Sequence, residues 1–266
     1  MQFIFLGCSD EHGVPRIGCD CEVCRNVLSA GSHNYRTGPS VALRFGPSYA
    51  ERTVLIDVAP EFRLQATKLG LRQVDALILT HSHDAHTLGL GALLNSQRER
   101  ELPLLVCAPS TVLSDTSERF HHLWTDKAYR RVLEPRPIEG AIDLWGLEVR
   151  PMRVDHGTGG TAFGYQLHID GLRLAYTPAM LRASDEIRQA LTALDLLVLG
   201  ASHYYDGTEM WKRSVMDIAA AQELIRQVMP KQAILTHLSH TIEYGEISAR
   251  LPSGISLAYD GRTVEM

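Results

Sequence analysis

Short apolar runs, each closed by a polar or turn-forming cluster, recur along the whole chain. Residues 2–7, 40–45, 53–57, 74–79 and 102–108 carry this pattern in the first half, and 147–154, 163–169, 172–177, 194–200 and 233–235 in the second. Their length and apolar density predict buried strands. Residues 254–259 and 263–266 could complete the sheets. Between them the period changes. A run over 60–69 stopped by Gly70 predicts a helix, as do Leu88, Leu90, Leu93 and Leu94, the segment 111–120, and 214–228. For the last, Ser214 is the expected N-cap, Ile218, Ala221, Leu224 and Ile225 form the apolar stripe, and Pro230 marks the end. Strands alternating with helices in two strand-rich halves indicate an α/β chain of pseudo-duplicated design, with no tandem repeat or low-complexity segment.

Polar residues are most informative where these strands end. Directly after 74–79 comes Thr80-His81-Ser82-His83-Asp84-Ala85-His86, three imidazoles in a turn that follows a rigid strand. Nothing structural calls for three, and the arrangement suits metal ligation. His156, His203 and His237 also follow apolar strands, in Asp155-His156-Gly157, Ser202-His203-Tyr204 and Thr236-His237-Leu238-Ser239-His240. A second cluster, Cys19-Asp20-Cys21-Glu22-Val23-Cys24, lies in a Gly- and Pro-punctuated excursion between the first two strands, residues 13–39. Three thiolates at this spacing can converge on one zinc, which then needs a fourth ligand from elsewhere. His121 and His122, beside Trp124, read as surface or substrate-cleft residues.

Composition narrows the setting. With 266 residues the chain can bury a full core, and it is expected to form a single domain over 1–266. A net charge of -5 argues against a nucleic-acid binder that relies on phosphate neutralisation. No apolar run is long enough to span a bilayer, and the N-terminus reads as a strand instead of a signal peptide, so a cytoplasmic location and no membrane partner are expected. Five cysteines, three of them clustered, then point to metal more than to disulfides.

The histidines at strand ends resemble the metallo-β-lactamase superfamily, whose four-layer αββα sandwich carries metal along one edge. Gly13-Val14-Pro15 followed by Gly18-Cys19-Asp20-Cys21-Glu22-Val23-Cys24 looks like the branch containing the cyclic phosphodiesterase of the carbon–phosphorus lyase pathway (PhnP) and the pyrroloquinoline quinone biosynthesis protein B (PqqB). The resemblance implies a structural Zn2+ held by Cys19, Cys21, Cys24 and His240. It implies His81, His83 and His156 as ligands of a first active-site metal, His86 and His237 as ligands of a second, and His203 as general acid. The family's first motif is His-x-His-x-Asp-His, yet Ala85 stands at the aspartate position, and Ala179 falls where a bridging aspartate is expected. Asp84, the carboxylate left in that loop, joins His203 as a candidate catalytic residue.

Two ions about 3.5–4 Å apart normally need a bridging carboxylate, so one ion, Zn2+, Mn2+ or Fe2+, is the economical expectation. The resemblance implies a hydrolase acting on a small substrate such as a phosphodiester. Val58-Ala59-Pro60-Glu61-Phe62-Arg63 and Tyr176-Thr177-Pro178 lean instead toward the quinone-biosynthesis protein and an iron-dependent oxidative activity. A noncatalytic member that binds a small molecule or a partner is the third reading, and a homodimer is the expected assembly.

Overall fold

The computed structural model describes residues 1–27 and 32–266, and residues 28–31 of the 13–39 excursion lie outside it. The chain gathers into two compact units. The first comprises Met1–Gly7, Thr37–Glu139 and Gly261–Met266, and the second Cys8–Arg36 and Gly140–Asp260.

The first unit is built on a seven-stranded sheet of β1 (Gln2–Gly7), β2 (Ser40–Phe45), β3 (Arg52–Ile56), β4 (Ala76–Ile78), β5 (Leu104–Ala108), β6 (Leu133–Pro137) and β14 (Thr263–Glu265), in the order β14-β1-β2-β3-β4-β5-β6. β3 through β6 run parallel, and the β4 side chains are fully buried, as expected of a strand covered on both faces. β4 is shorter than the expected 74–79 at both ends, although Asp75 N still donates to Thr53 O and Leu79 N to Cys107 O.

The expected helix after His86 is two pieces, Asp84–Thr87 and Leu90–Ser96. Leu90, Leu93 and Leu94 are buried, whereas Leu88 falls at the break and is 47% exposed, outside the stripe assigned to it. Short helices at His121–Thr125 and Lys127–Arg130, and the strand β6, had no clear signal in the sequence. β6 reads Leu-Glu-Pro-Arg-Pro with only Leu133 buried, a composition tolerated at a sheet edge.

The second unit holds another seven-stranded sheet, formed by β7 (Ile142–Leu144), β8 (Leu147–Val154), β9 (Ala162–Ile169), β10 (Leu172–Thr177), β11 (Leu196–Gly200), β12 (Gln232–Thr236) and β13 (Ile255–Leu257), in the order β13-β12-β11-β10-β9-β8-β7. β10 to β13 are parallel and β7 to β10 antiparallel. The helix Ile218–Val228 lays Ile218, Ala221, Leu224, Ile225 and Val228 onto a core that includes Leu197, Leu199 and Leu235.

That helix starts later than the expected Ser214. Asp217 is its N-cap, accepting from Ala220 N at 2.8 Å, and Met229 closes it in the left-handed conformation before Pro230. Among the described residues no helix is long and apolar enough to cross a membrane.

Candidate functional site

In the first unit the parallel register of β3 and β4 pairs Ile56 with Ile78, so the residues just beyond them, Asp57 and Leu79-Thr80, emerge side by side. Asp57 is fully buried at φ 62°, a left-handed conformation that aspartate tolerates better than most residues. Its Oδ1 accepts from Thr80 N (2.8 Å). Its Oδ2 accepts from Thr80 Oγ1 (2.8 Å) and from His86 Nδ1 (2.7 Å). With its proton committed to Asp57, Thr80 Oγ1 accepts in turn from His81 Nδ1 at 2.9 Å.

This chain of bonds places the proton on Nδ1 of both His81 and His86 and assigns the lone pair to Nε2, the arrangement of metal-ligating imidazoles held by an outer carboxylate. The His81 ring lies 4.6 Å from that of His83 and 4.0 Å from that of His86, centre to centre. The loop therefore gathers its three imidazoles.

Asp84 behaves differently. It opens the short helix, is 63% exposed, and its carboxylate pairs with Arg119. Ala85, where the family aspartate was expected, is buried at 6% exposure, and Ala179 is buried as well. His121 and His122 are exposed, in line with the surface reading.

In the second unit the Cys19, Cys21 and Cys24 thiols and the His240 ring have ligand atoms all within 4.8 Å of one another. His240 Nδ1 lies 3.4 Å from Cys19 Sγ and 3.5 Å from Cys21 Sγ. Zinc–sulfur bonds near 2.3 Å and zinc–nitrogen bonds near 2.0–2.1 Å at tetrahedral angles separate such atoms by about 3.6 Å. The two His240–cysteine distances match the edges of such a tetrahedron, and the other donors lie close enough to complete one.

Backbone amides support the sulfurs. Cys24 N donates to Cys21 Sγ (3.5 Å) and Arg16 N to Cys24 Sγ (3.4 Å). The Cys24 amide, helped by His240, draws the Cys21 thiol down to about 6, while burial pushes that of Cys24 up to about 11. Buried Arg36 clamps the turn carrying His240, donating through Nη1 to Ser239 O (2.9 Å) and through Nη2 to Ile242 O (2.6 Å) and Asn34 Oδ1 (2.9 Å).

The remaining histidines of this unit also follow strands. His156 succeeds β8, and its Nδ1 donates to Ser214 O at 2.9 Å, again assigning the lone pair to Nε2. β11 and β12 pair Gly200 with Thr236, so Ser202-His203 and His237 leave adjacent strand ends. His203 and His237 line one cavity of about 230 Å³ together with His12, Arg16, Asp206, Lys212 and Arg213.

Ser202 Oγ lies 3.0 Å from His203 Nδ1. Burial would raise the Asp206 carboxyl, but the Thr208 amide and hydroxyl, Arg213 and His203 hold it below the usual carboxylate range. Arg213 in turn pairs with Asp206 (3.6 Å) and with the helix-capping Asp217 (3.4 Å).

Sequence reasoning overlooked Asp57, Arg36 and the Asp206–Arg213–Asp217 cluster. Asp57 had one usable signal, an acid closing an apolar strand beside the histidine strand.

A family model described as the beta-lactamase superfamily domain matches residues 52–238. The chain is 31% identical over 270 residues to an octanoyltransferase of Porphyromonas gingivalis; the match takes in 98% of the chain but only 51% of that relative. It is 30% identical to the coenzyme PQQ synthesis protein B of Methylobacterium nodulans, covering 78% of this chain and 73% of the relative. Among solved structures it resembles a diphosphatase of the PhnP family (TM-score 0.86, 28% identity, 100% of this chain and 97% of the other). It also resembles zinc-bound PqqB from Methylobacterium extorquens in fold (TM-score 0.82, 19% identity, 100% of both chains). The fold class expected from the sequence is therefore the observed one, and the chain belongs to the metallo-β-lactamase superfamily.

Proposed function

We propose that the chain is a metal-dependent hydrolase of small phosphodiesters, cyclic ones included. The observation that carries this reading is the cavity beyond β11 and β12, where His203 shares a lining with His237 and with the cationic Arg16, Lys212 and Arg213. An imidazole placed to deliver a proton shares this lining with Arg16, whose guanidinium suits an anion, while Lys212 and Arg213 are paired with carboxylates.

His81 and His83 of the first unit and His156 of the second are the proposed ligands of a divalent ion, with His86 and His237 as donors to a second ion where one binds. The proposal requires the two units to act as one catalytic domain. It is supported within each unit by the hydrogen bonds that reserve Nε2 of His81, His86 and His156 for ligation. Zn2+ is the proposed occupant of the Cys19, Cys21, Cys24 and His240 knot. An active-site Zn2+ or Mn2+ supplies Lewis-acid polarisation of the phosphoryl group and an activated water.

The chain's own residues supply the rest. His203 is the proposed acid, protonating the departing oxygen through Nε2 while Ser202 Oγ steadies Nδ1. Asp84, paired with Arg119, shapes the loop instead of taking part in proton transfer.

The test is turnover of an alkyl and a nitrophenyl phosphodiester by zinc- and manganese-loaded protein. His203→Ala should lower kcat for the alkyl ester by roughly 10²–10⁴-fold, and for the nitrophenyl ester, whose leaving group needs no proton, far less. Absence of turnover by the loaded protein refutes the reading, and an equal loss on both esters refutes the role of His203.

The relatives in PQQ synthesis, together with an active-site donor set of imidazoles without the two expected aspartates, favour a second reading, an iron-dependent oxidative reaction. Substrate-dependent oxygen consumption by anaerobically iron-loaded protein would select it.

A further inference from the structure

The segment that carries the Cys19, Cys21, Cys24 and His240 cluster also builds part of the cavity wall, through Arg16 and His240. From Pro15 to Val23 no residue is buried, and Ile17 is 97% exposed, so no apolar packing fixes this segment. Its shape depends on the knot. Arg16 is tied on both sides of its own backbone: its N–H donates to Cys24 Sγ at 3.4 Å, and its carbonyl accepts from Cys19 N at 3.1 Å. Its side chain lines the same cavity as His203.

The other charged groups of that lining are already engaged. Arg213 pairs with Asp206 and Asp217, and Lys212 with Glu209 at 2.8 Å. Asp10 Oδ1 accepts from His12 N at 3.0 Å, and Glu11 lies 3.5 Å from the His12 ring. Among the described residues, Arg16 alone of the three Lys/Arg side chains lining the cavity has no carboxylate within ion-pairing distance.

Building on the phosphodiesterase reading, we propose that Arg16 is a substrate-binding residue presented by the knot. It takes a second anionic group of the substrate, a carboxylate or a phosphoryl remote from the scissile bond. A guanidinium offers either group a bidentate, charge-assisted pair, and the backbone that carries it is held by Cys19 and Cys24 of the knot before substrate arrives. The knot thereby governs selectivity as well as folding.

Calorimetric titration of the metal-replete protein tests this with three probes: propyl phosphate, which has one anionic end, and 1,3-propanediol bisphosphate and 3-phosphonooxypropanoate, which have two. The wild type should bind one or both two-ended probes at least about tenfold tighter than propyl phosphate, the worth of one charge-assisted contact, and the better of them identifies the second group. Arg16→Gln should erase the preference with zinc content unchanged, and Arg16→Lys should restore part of it. Cys21→Ser, where it folds, should erase it with Arg16 still in the chain.

A wild type without preference, or Arg16→Gln that keeps it, overturns the proposal. Preference lost in Arg16→Gln while the loaded wild type turns over no phosphodiester leaves the anion subsite standing and removes the hydrolase reading. Turnover with preference untouched by Arg16→Gln does the reverse.

Discussion

Asp57→Asn isolates the carboxylate that organises the histidine loop. The native Oδ2 receives two donors, Thr80 Oγ1 at 2.8 Å and His86 Nδ1 at 2.7 Å, with Asp57 fully buried and His86 at 2% exposure. Asparagine fills the same volume and can still accept from Thr80 N, but it sets an NH2 group where both donors point. Thr80 adapts by rotating its hydroxyl. His86 adapts only by moving its proton to Nε2, which removes the lone pair proposed for metal. Each charge-assisted bond lost weakens the fold by about 1.5–3 kcal/mol, softened here by the replacement bonds. Loss of an outer-shell carboxylate weakens metal affinity by about 10–100-fold, equivalent to about 1.4–2.7 kcal/mol. The assay is chelator competition followed by elemental analysis. The expected result is an active-site ion released about 10–100-fold more readily and a knot ion retained unchanged. Equal affinity for both ions in wild type and variant would refute the reasoning.

Other consequences are as direct. Cys21→Ser should cost the knot its ion, lowering zinc by one per chain while leaving any histidine-bound metal in place, as read by elemental analysis. Burial opposes charge on Asp75, but bonds from Thr53 N, Gln73 and Arg100, each at 2.9 Å, outweigh it and hold the carboxyl below its ordinary value. Its stabilisation is thus present above the unfolded value of about 3.9 and lost as pH falls through the lower folded value. Asp75→Asn should cost about 2 kcal/mol at pH 7 in urea unfolding, with the gap to wild type closing in acid. Gly200→Ala should unfold or severely weaken the chain, by more than about 3 kcal/mol, because the new Cβ would stand 1.8 Å from the Pro178 carbonyl oxygen. Wild type should bind two ions per chain, one in the knot and one at the histidines, and Ala85→Asp should raise the total toward three.

What could be read from the sequence was whatever the chain keeps local. Three histidines in one turn and three cysteines in another announce themselves by spacing, and long apolar runs fix strands such as 147–154 and 172–177 to the residue. Features that arise from register stayed hidden. Asp57 matters because β3 and β4 are parallel with Ile56 opposite Ile78, and no spacing along the chain encodes that neighbour relation. Arg36 likewise gains its role from carbonyls more than two hundred residues away. The helix start misplaced at Ser214 shows a different limit. Serine and aspartate are both good caps, and the choice of Asp217 follows from its second duty of pairing with Arg213.

The residues that are missing set the electrostatics of the proposed site. Two dications about 3.5–4 Å apart repel by about 17–19 kcal/mol at an effective dielectric of about 20, and a bridging carboxylate is the usual offset. At 85 and 179 the chain presents methyl groups, both buried, which cannot be exchanged for charge by a rotamer change. Asp84 is turned to Arg119, and Asp57 acts one bond away through His86. Without either carboxylate, the histidines proposed as ligands meet the demand of a single divalent ion far better than that of two. Asp57 then reaches the proposed single ion through Thr80 and His81, keeping His81 Nε2 free to ligate, and it holds the Nδ1–H of His86 in the same loop.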